Sequence, residues 1–286
     1  MELKHIATRE GRLSSFLLGE MKISYALMNK LKWGENLLVN GAPQRTNFPV
    51  QIGEEICVLM DEPVPEYPAE QGNLEILYED SHLLAVDKPA GMLIHPSRSR
   101  NTGTLANIVA GYYEQTGQNS AFHPLTRLDR DTFGVVLLAK NAYVHTLLQH
   151  SRVQKTYFAL VWGAPEEEAG TIDAPIARRP LPSLLREIRE DGKPSVTEYQ
   201  ILEKRGNICK LALRPVTGRT HQLRLHCAYK GFPILGDPQY GNGESLEISE
   251  KMGYTYQQLC AGRLELDHPV TGEKLCIQSR LDVKIP

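Results

Sequence analysis

An acidic segment flanked by arginines is the first feature with chemical potential. Asp129 and Asp131 stand beside Arg127 and Arg130, directly before an apolar run at residues 135–139. A carboxylate at the mouth of a buried strand is well placed for chemistry, and the neighbouring guanidinium groups would keep it ionised. The same pattern is also typical of a surface ion-pair cluster, because exposed pairs are common and individually weak. Taken alone, the segment favours the surface interpretation.

A second segment, residues 218–226, combines arginines and histidines after a predicted strand at residues 208–214. Thr220 is suited to cap a helix that begins there. His221 and Arg224 would then lie on one helical face, at positions i and i+3. The N–H groups at such a helix start favour anions.

A metal-dependent hydrolase using His221, His226 and Asp237 is an alternative interpretation. The two histidines are five residues apart, which puts them on different faces of a helix, and no cluster of acids completes a ligand set. We therefore predict no metal site.

Three further segments gain meaning only in combination. Lys155 and Tyr157 open an apolar strand, residues 87–97 are rich in turn formers, and residues 236–241 form a glycine-bounded loop. Each has an ordinary structural explanation, such as a core aromatic or a turn. The sequence contains no glycine-rich phosphate loop, dinucleotide-binding glycine turn or hydrolase nucleophile elbow.

The composition is that of a globular protein. The chain has 286 residues, and its 41% hydrophobic content is enough for a sizeable core. This length corresponds to about one or two domains. No apolar run approaches the roughly 18 residues that span a bilayer, and the N-terminus lacks the pattern of a secretory signal. We expect a cytoplasmic protein without a membrane partner.

The cysteines and the charge distribution narrow the possible class of protein further. Five cysteines, without a Cys-x-x-Cys pair, argue against a disulfide framework or a cysteine zinc site. Net charge is only −2, but residues 61–123 carry 3 Lys and Arg against 9 Asp and Glu, whereas residues 124–230 carry 17 against 11. A locally basic face can bind phosphates, although a solvated surface of mixed charge explains the counts equally well.

Residues 1–60 predict a small α/β unit. Two short amphipathic helices fit residues 11–31, with Ser24 as the N-cap of the second. Residues 37–39 predict a strand that enters a tight turn, and residues 50–59 predict another strand.

Residues 61–73 predict a linker, because prolines and acids alternate there. Residues 74–286 predict one larger domain of short strands with helices among them. The strands are expected at residues 83–87, 134–139, 156–162, 196–202 and 208–214, and the helices near residues 105–114 and 142–151. Short strands with polar alternation favour a mixed, largely antiparallel sheet with flanking helices, which is an α+β fold.

In this order, the segments together resemble the RluA-type pseudouridine synthases. The resemblance is carried by residues 78–97, 127–140, 155–157, 218–226, 236–241 and 268–273, and it extends over residues 74–282. Over shorter motifs, residues 1–60 resemble the alpha-L RNA-binding domain of ribosome-associated proteins.

The resemblance implies that uridine in ribosomal or transfer RNA is converted to its C-glycoside isomer without a cofactor. Asp129 would be the catalytic carboxylate that acts at the sugar, and Arg224 would be its ion-pair partner. Tyr157 would stack on the uracil and Leu223 would pack beside it. Arg127 would fill the space left when the nucleotide flips out of its stack.

The resemblance also implies an RNA-binding surface on a protein that we expect to be a monomer. The residues assigned to this surface are Arg12, Lys30, Lys32, Lys155, Arg219 and His221. Two positions depart from the family pattern. Thr126, assigned to the substrate site, replaces the usual histidine, and Phe133 replaces the usual serine. Both changes bear on the choice of target more than on the reaction.

The alternative function is a non-catalytic RNA-binding or ribosome-assembly protein on the same fold. Such a protein would be expected to lack part of the catalytic set. Asp129, Tyr157 and Arg224 are all present, which favours an active enzyme.

Overall fold

The computed structural model describes residues 2–60, 67–97, 100–180, 182–183 and 185–285. The first six residues of the predicted linker, residues 61–66, lie outside the described residues. The rest of it, residues 67–73, contains neither helix nor strand. Within the described ranges, no helix has both the length and the apolar character needed to cross a bilayer.

The N-terminal part forms two helices and a small antiparallel sheet. Its elements are β1 (Glu2–Ile6), β2 (Gly11–Arg12), α1 (Leu13–Gly19), α2 (Tyr25–Leu31), β3 (Leu37–Val39), β4 (Ala42–Pro43), β5 (Pro49–Val50) and β6 (Glu55–Leu59). The sheet has the order β1-β6-β3-β4, and β2 pairs with β5. Ser24 caps α2 by accepting a hydrogen bond from the Leu27 N–H, as predicted.

The single strand predicted at residues 50–59 is wrong, because a turn divides it into β5 and β6. Gly53 has a φ of +86°, a left-handed conformation that cannot continue an extended strand. The Glu54 carboxylate closes the turn by accepting a bond from the Gln51 N–H at 2.8 Å.

The larger part is built on one twisted sheet. Its strands are β7 (Ile76–Glu79), β8 (Leu83–Lys88), β9 (His123–Pro124), β10 (Phe133–Ala139), β11 (Val153–Trp162), β12 (Ala169–Asp173), β13 (Ile176–Arg178), β14 (Arg186–Ile188), β15 (Val196–Arg205), β16 (Ile208–Pro215), β17 (Leu259–Asp267) and β18 (Lys274–Gln278). Its helices are α3 (Leu105–Gln115), α4 (Ala142–His150), α5 (Gln222–Tyr229) and α6 (Gly243–Lys251).

The main sheet has the order β12-β15-β16-β11-β17-β10-β8-β7, with β18 on β17 and β9 on β10. Strands β13 and β14 form a separate hairpin. Among the described strands, only β10 and β17 pair in parallel. The predicted α+β fold with a mixed, largely antiparallel sheet is therefore confirmed.

The parallel pair brings β10 unusually close to β17. A Cβ atom at Gly134 would lie 2.4 Å from the carbonyl oxygen of Ala261, and Gly134 has a φ of +106°. Only glycine meets both conditions without strain. Because β10 follows Asp129, this close approach fixes where the acidic segment sits relative to β17.

Apolar side chains on both faces of the sheet hold the helices. Leu105 and Val109 of α3 join a buried cluster with Val86 and Val136 of the central strands. Leu223 of α5 belongs to another cluster, over β11 and β16. Each fully buried aliphatic side chain contributes about 1.5–3 kcal/mol. The sheet centre is thus a rigid support for the loops that carry Asp129 and Arg224.

Candidate active site

Asp129 lies in the connection between β9 and β10, which is anchored on both sides. Leu128 is buried in the core, so the neighbouring Asp129 side chain points out and stays 28% exposed. The Thr126 hydroxyl accepts a bond from the Leu137 N–H at 3.2 Å. On the other side, the Thr132 hydroxyl accepts a bond from the Gln257 amide at 2.8 Å. These bonds hold the carboxylate in one position.

Lys88, at the end of β8, supports the same segment. Its side chain is fully buried, and its ammonium group donates to the carbonyl oxygens of Pro89, Met92 and Arg130, each at 2.9 Å. Burial lowers the pKa of Lys88 to about 8, against the attraction of nearby carboxylates. Because Arg130 follows Asp129, Lys88 helps to fix the backbone beside the catalytic candidate.

Arg224 joins three acceptors in a buried network. Its Nη1 donates to Asp129 Oδ2 at 2.9 Å, and its Nε and Nη2 bind both oxygens of Asp237 at 2.7 Å. Nη2 also donates to Gln239 at 2.8 Å. Burial would lower the pKa of Arg224, but the hydrogen bonds and charges of Asp237 and Asp129 raise it. The guanidinium therefore stays charged and is fixed by Asp237, which leaves one arm for Asp129.

Tyr157 lies at an irregularity in β11. The pairing of β11 with β17 shifts register between Thr156 and Phe158, and such a bulge redirects a side chain. The side chain packs against two apolar clusters, one that contains Val136 of β10 and one that contains Leu223 of α5. Burial raises the pKa of the Tyr157 hydroxyl, and the Asp129 charge raises it further. The hydroxyl therefore keeps its proton at neutral pH.

The other predicted substrate residues surround this centre. Leu223 is buried at the start of α5. Thr126 and Lys155 line a small cavity that also borders Tyr157, and burial lowers the pKa of Lys155. Arg127 is exposed.

Phe133, the second departure from the family pattern, is buried where β10 begins. Its ring packs edge-on against Tyr256, with 6.0 Å between centroids. The substitution therefore adds an apolar contact next to the catalytic segment.

The residues assigned to RNA binding are spread over two parts of the chain. Arg12 and Lys30 are exposed in the N-terminal part, and Lys32 Nζ lies 4.9 Å from the centre of the exposed Trp33 ring. Arg219 is exposed in the loop before α5.

The start of α5 differs from the prediction. Thr220 was expected as the cap, but the N-cap residue is His221, with a φ of +56° and no side-chain bond to the helix. His226, the other histidine of the segment, is buried and bonds to Thr197 Oγ1 and the Ala174 carbonyl. His226 therefore has different partners from Asp237, which binds Arg224.

Sequence reasoning missed Lys88, Asp237, Gln239 and Tyr240 as parts of the site. In the sequence, residues 236–241 are a glycine-bounded loop and one of the segments that carry the family resemblance, and Asp237 is considered only as a metal ligand. A usable signal was the single lysine at the end of the apolar strand β8, because a buried lysine requires several acceptors.

Residues 82–229 match the family described as RNA pseudouridylate synthase. A Bacillus subtilis protein named uncharacterized RNA pseudouridine synthase YlyB is 38% identical over 245 residues, covering 83% of this chain and 79% of its own. Ribosomal large subunit pseudouridine synthase D of Xanthomonas campestris is 34% identical over 279 residues, covering 93% and 84%.

Among solved structures, human RNA pseudouridylate synthase domain containing 1 is similar in fold. It has a TM-score of 0.60 and 27% sequence identity, and the match covers 74% of this chain and 84% of the human one.

Proposed function

Because this chain belongs to the RNA pseudouridylate synthase family, we propose that it isomerises particular uridines in structured ribosomal or transfer RNA, with Asp129 as the catalytic carboxylate. The observation that carries this proposal is the 2.9 Å bond between Asp129 Oδ2 and Arg224 Nη1, which joins positions 95 residues apart. Relatives named as ribosomal large subunit enzymes make ribosomal RNA the first substrate to test.

The reaction begins with flipping of the uridine, because a stacked base hides its glycosidic bond; flipping costs a few kcal/mol. Asp129 then acts at the sugar, by attack on C1′ or by removal of a sugar proton. The C1′–N1 bond breaks and its electron pair goes to the uracil. After the base turns, C5 bonds to C1′ as the ester bond to Asp129 breaks or as the sugar proton returns from Asp129. The C5 proton then passes to solvent, and N1 takes up a proton. The product is an isomer, so the reaction consumes no oxidant, reductant or group donor.

The geometry distinguishes the two oxygens of Asp129. Arg224 Nη1 binds Oδ2, and His221 Nε2 lies 3.8 Å from the same atom. Among the described residues, none donates a hydrogen bond to Oδ1. We therefore assign Oδ1 as the reacting oxygen, with Oδ2 as the anchored one.

The surrounding residues receive roles that fit their environment. Tyr157 keeps its proton, so its ring is a platform for the uracil and its hydroxyl is a proton donor rather than a base. Leu223 supplies an apolar wall. Thr126 and Lys155 border the platform. The exposed Arg127 takes the place of the flipped nucleotide in the stack.

The basic residues of the N-terminal part, with Arg219 near the site, are proposed to bind phosphates. Replacing Arg12, Lys30 and Lys32 together with alanine is expected to weaken RNA affinity about tenfold or more. The slope of log affinity against log salt should also fall by about 0.7–0.9 per lost phosphate contact. Filter binding over a salt series measures both. A control with Lys251 and Lys274 replaced should bind like the wild type, and an unchanged slope in the triple variant would refute the assignment.

The proposed function is tested by mapping pseudouridines in total ribosomal and transfer RNA from cells with and without the gene. We expect at least one site to disappear on deletion and to return with the wild-type gene. Purified protein should form pseudouridine at the same site in an unmodified transcript. Identical maps, together with no product in the purified reaction, would favour the non-catalytic RNA-binding alternative.

A further inference from the structure

His221 has a backbone conformation that a helix start does not require. It occupies the left-handed region, with a φ of +56°, which is uncommon for residues other than glycine and costs energy. Its side chain caps nothing. Instead, the side-chain carbonyl oxygen of Gln222 accepts hydrogen bonds from the Arg219 N–H and the Thr217 hydroxyl. The strained conformation instead directs the imidazole towards Asp129.

The two ring nitrogens of His221 face different partners. Nδ1 lies 2.9 Å from the Tyr240 hydroxyl, and Nε2 lies 3.8 Å from Asp129 Oδ2. The Tyr240 hydroxyl also accepts a bond from the Arg186 N–H at 2.9 Å. Tyr240 is held further by its ring, which lies 5.2 Å from the Arg224 guanidinium. The hairpin β13–β14 is thereby connected to the catalytic carboxylate.

Counting donors and acceptors assigns the tautomer of His221. A tyrosine hydroxyl has one proton to donate, and the Tyr240 oxygen already accepts a bond from the Arg186 N–H. Among the described residues, the contact of the Tyr240 hydroxyl that could accept this proton is His221 Nδ1, at 2.9 Å. With the Tyr240 proton donated to Nδ1, the proton of the neutral ring is on Nε2.

Burial of the ring favours this neutral form. Burial lowers the pKa of His221, and the charges of Arg224 and Arg186 act in the same direction, whereas Asp129 and Asp237 oppose them. Nε2–H is left with a carboxylate at 3.8 Å, beyond hydrogen-bond distance. It is a donor beside the reacting group that none of the described residues uses.

We infer that His221 donates its Nε2–H to an oxygen of the target ribose, and that Tyr240 is a positioning residue that fixes the required tautomer. The inference rests on the proposed reaction at Asp129. A sugar whose C1′ meets Asp129 Oδ1 brings its 2′-hydroxyl, one carbon away, into the reach of a donor next to Oδ2. That hydroxyl also distinguishes RNA from DNA.

The variants His221→Asn, His221→Gln, Tyr240→Phe and Tyr229→Phe test the inference on a transcript that the wild type modifies. Asparagine tolerates the left-handed backbone but is too short to reach the ribose, and should lower kcat/KM about tenfold. Glutamine restores a donor at the right distance and should recover part of the loss. Tyr229 is exposed in the same helix, so its phenylalanine variant is the matched control.

The pH profile separates this role from a structural one. Phenylalanine at position 240 keeps the ring over Arg224 but removes the donor to Nδ1, so His221 becomes easier to protonate. An imidazolium would bind Asp129 Oδ2 more tightly and make the carboxylate less reactive. The acid limb of kcat/KM should therefore move to higher pH in Tyr240→Phe and to lower pH in His221→Gln, which has no imidazole to protonate. Profiles identical to the wild type in both variants would overturn the inference.

The acceptor is identified by a double-mutant cycle on binding. Oligonucleotides that contain the mapped target, with either uridine or 2′-deoxyuridine there, are bound to Asp129→Asn with and without His221→Asn. The histidine substitution should weaken binding of the ribose form only. Equal weakening of both forms would exclude the 2′-hydroxyl. If the wild type makes no pseudouridine, the proposed function fails. If the wild type is active and the His221 and Tyr240 variants match its activity and binding, only this inference fails.

Discussion

Replacing Asp129 with asparagine is expected to lower the rate of pseudouridine formation roughly 10⁴-fold or more, while the protein keeps its fold and its affinity for RNA. The amide has almost the same size as the carboxylate, but it is neutral and can neither attack C1′ nor remove a sugar proton. Its oxygen can still accept the bond that Arg224 Nη1 donates at 2.9 Å. Because Asp237 continues to neutralise Arg224, no unpaired charge is buried.

Single-turnover assays on a transcript that the wild type modifies measure this loss, and filter binding and thermal melting measure affinity and folding. Asp131→Asn is the matched control. Asp131 lies two residues away, and its oxygens accept from the exposed Arg130 guanidinium at 2.9 and 2.8 Å. That variant should keep most of its activity. An Asp129→Asn protein that turned over at the wild-type rate would refute the proposed mechanism.

The sequence was sufficient to predict some of the elements that are rich in apolar residues, although the largely buried strand β17 was not predicted. The runs that predicted β8, β10, β11 and β16 correspond to observed strands, with ends moved by a few residues. The hairpin β13–β14 and helix α6 were missed. The segments that form them contain few apolar side chains, so their formation depends on packing against distant elements rather than on local periodicity.

The site was only partly predictable for the same reason. The pairing of Asp129 with Arg224 was expected from the family resemblance and from no local pattern. Asp237 could not be identified as the anchor of Arg224, because sequence does not tell which buried acid faces which base. The left-handed His221 was also hidden, since a Thr-Gly turn and a capping threonine predicted an ordinary helix start.

Replacing Arg224 with methionine is expected to destabilise the protein by about 3–5 kcal/mol and to abolish activity. The side chains of Arg224 and Asp237 are only 5% and 1% exposed. Removing the guanidinium leaves the Asp237 carboxylate buried without its cation, which is the costly way to break a buried pair. Asp129 loses its orienting bond at the same time. Urea unfolding at constant m-value measures the free-energy loss.

The double variant Arg224→Met/Asp237→Asn separates the two effects. Asparagine carries no charge to bury, so much of the stability should return. Its amide oxygen can still accept the bonds from the Gln239 and Tyr240 N–H groups, which now reach Asp237 Oδ1 at 3.0 and 3.3 Å. Activity should stay lost, because no guanidinium orients Asp129. If the double variant were no more stable than Arg224→Met, the cost would lie in lost packing and not in the stranded Asp237 charge.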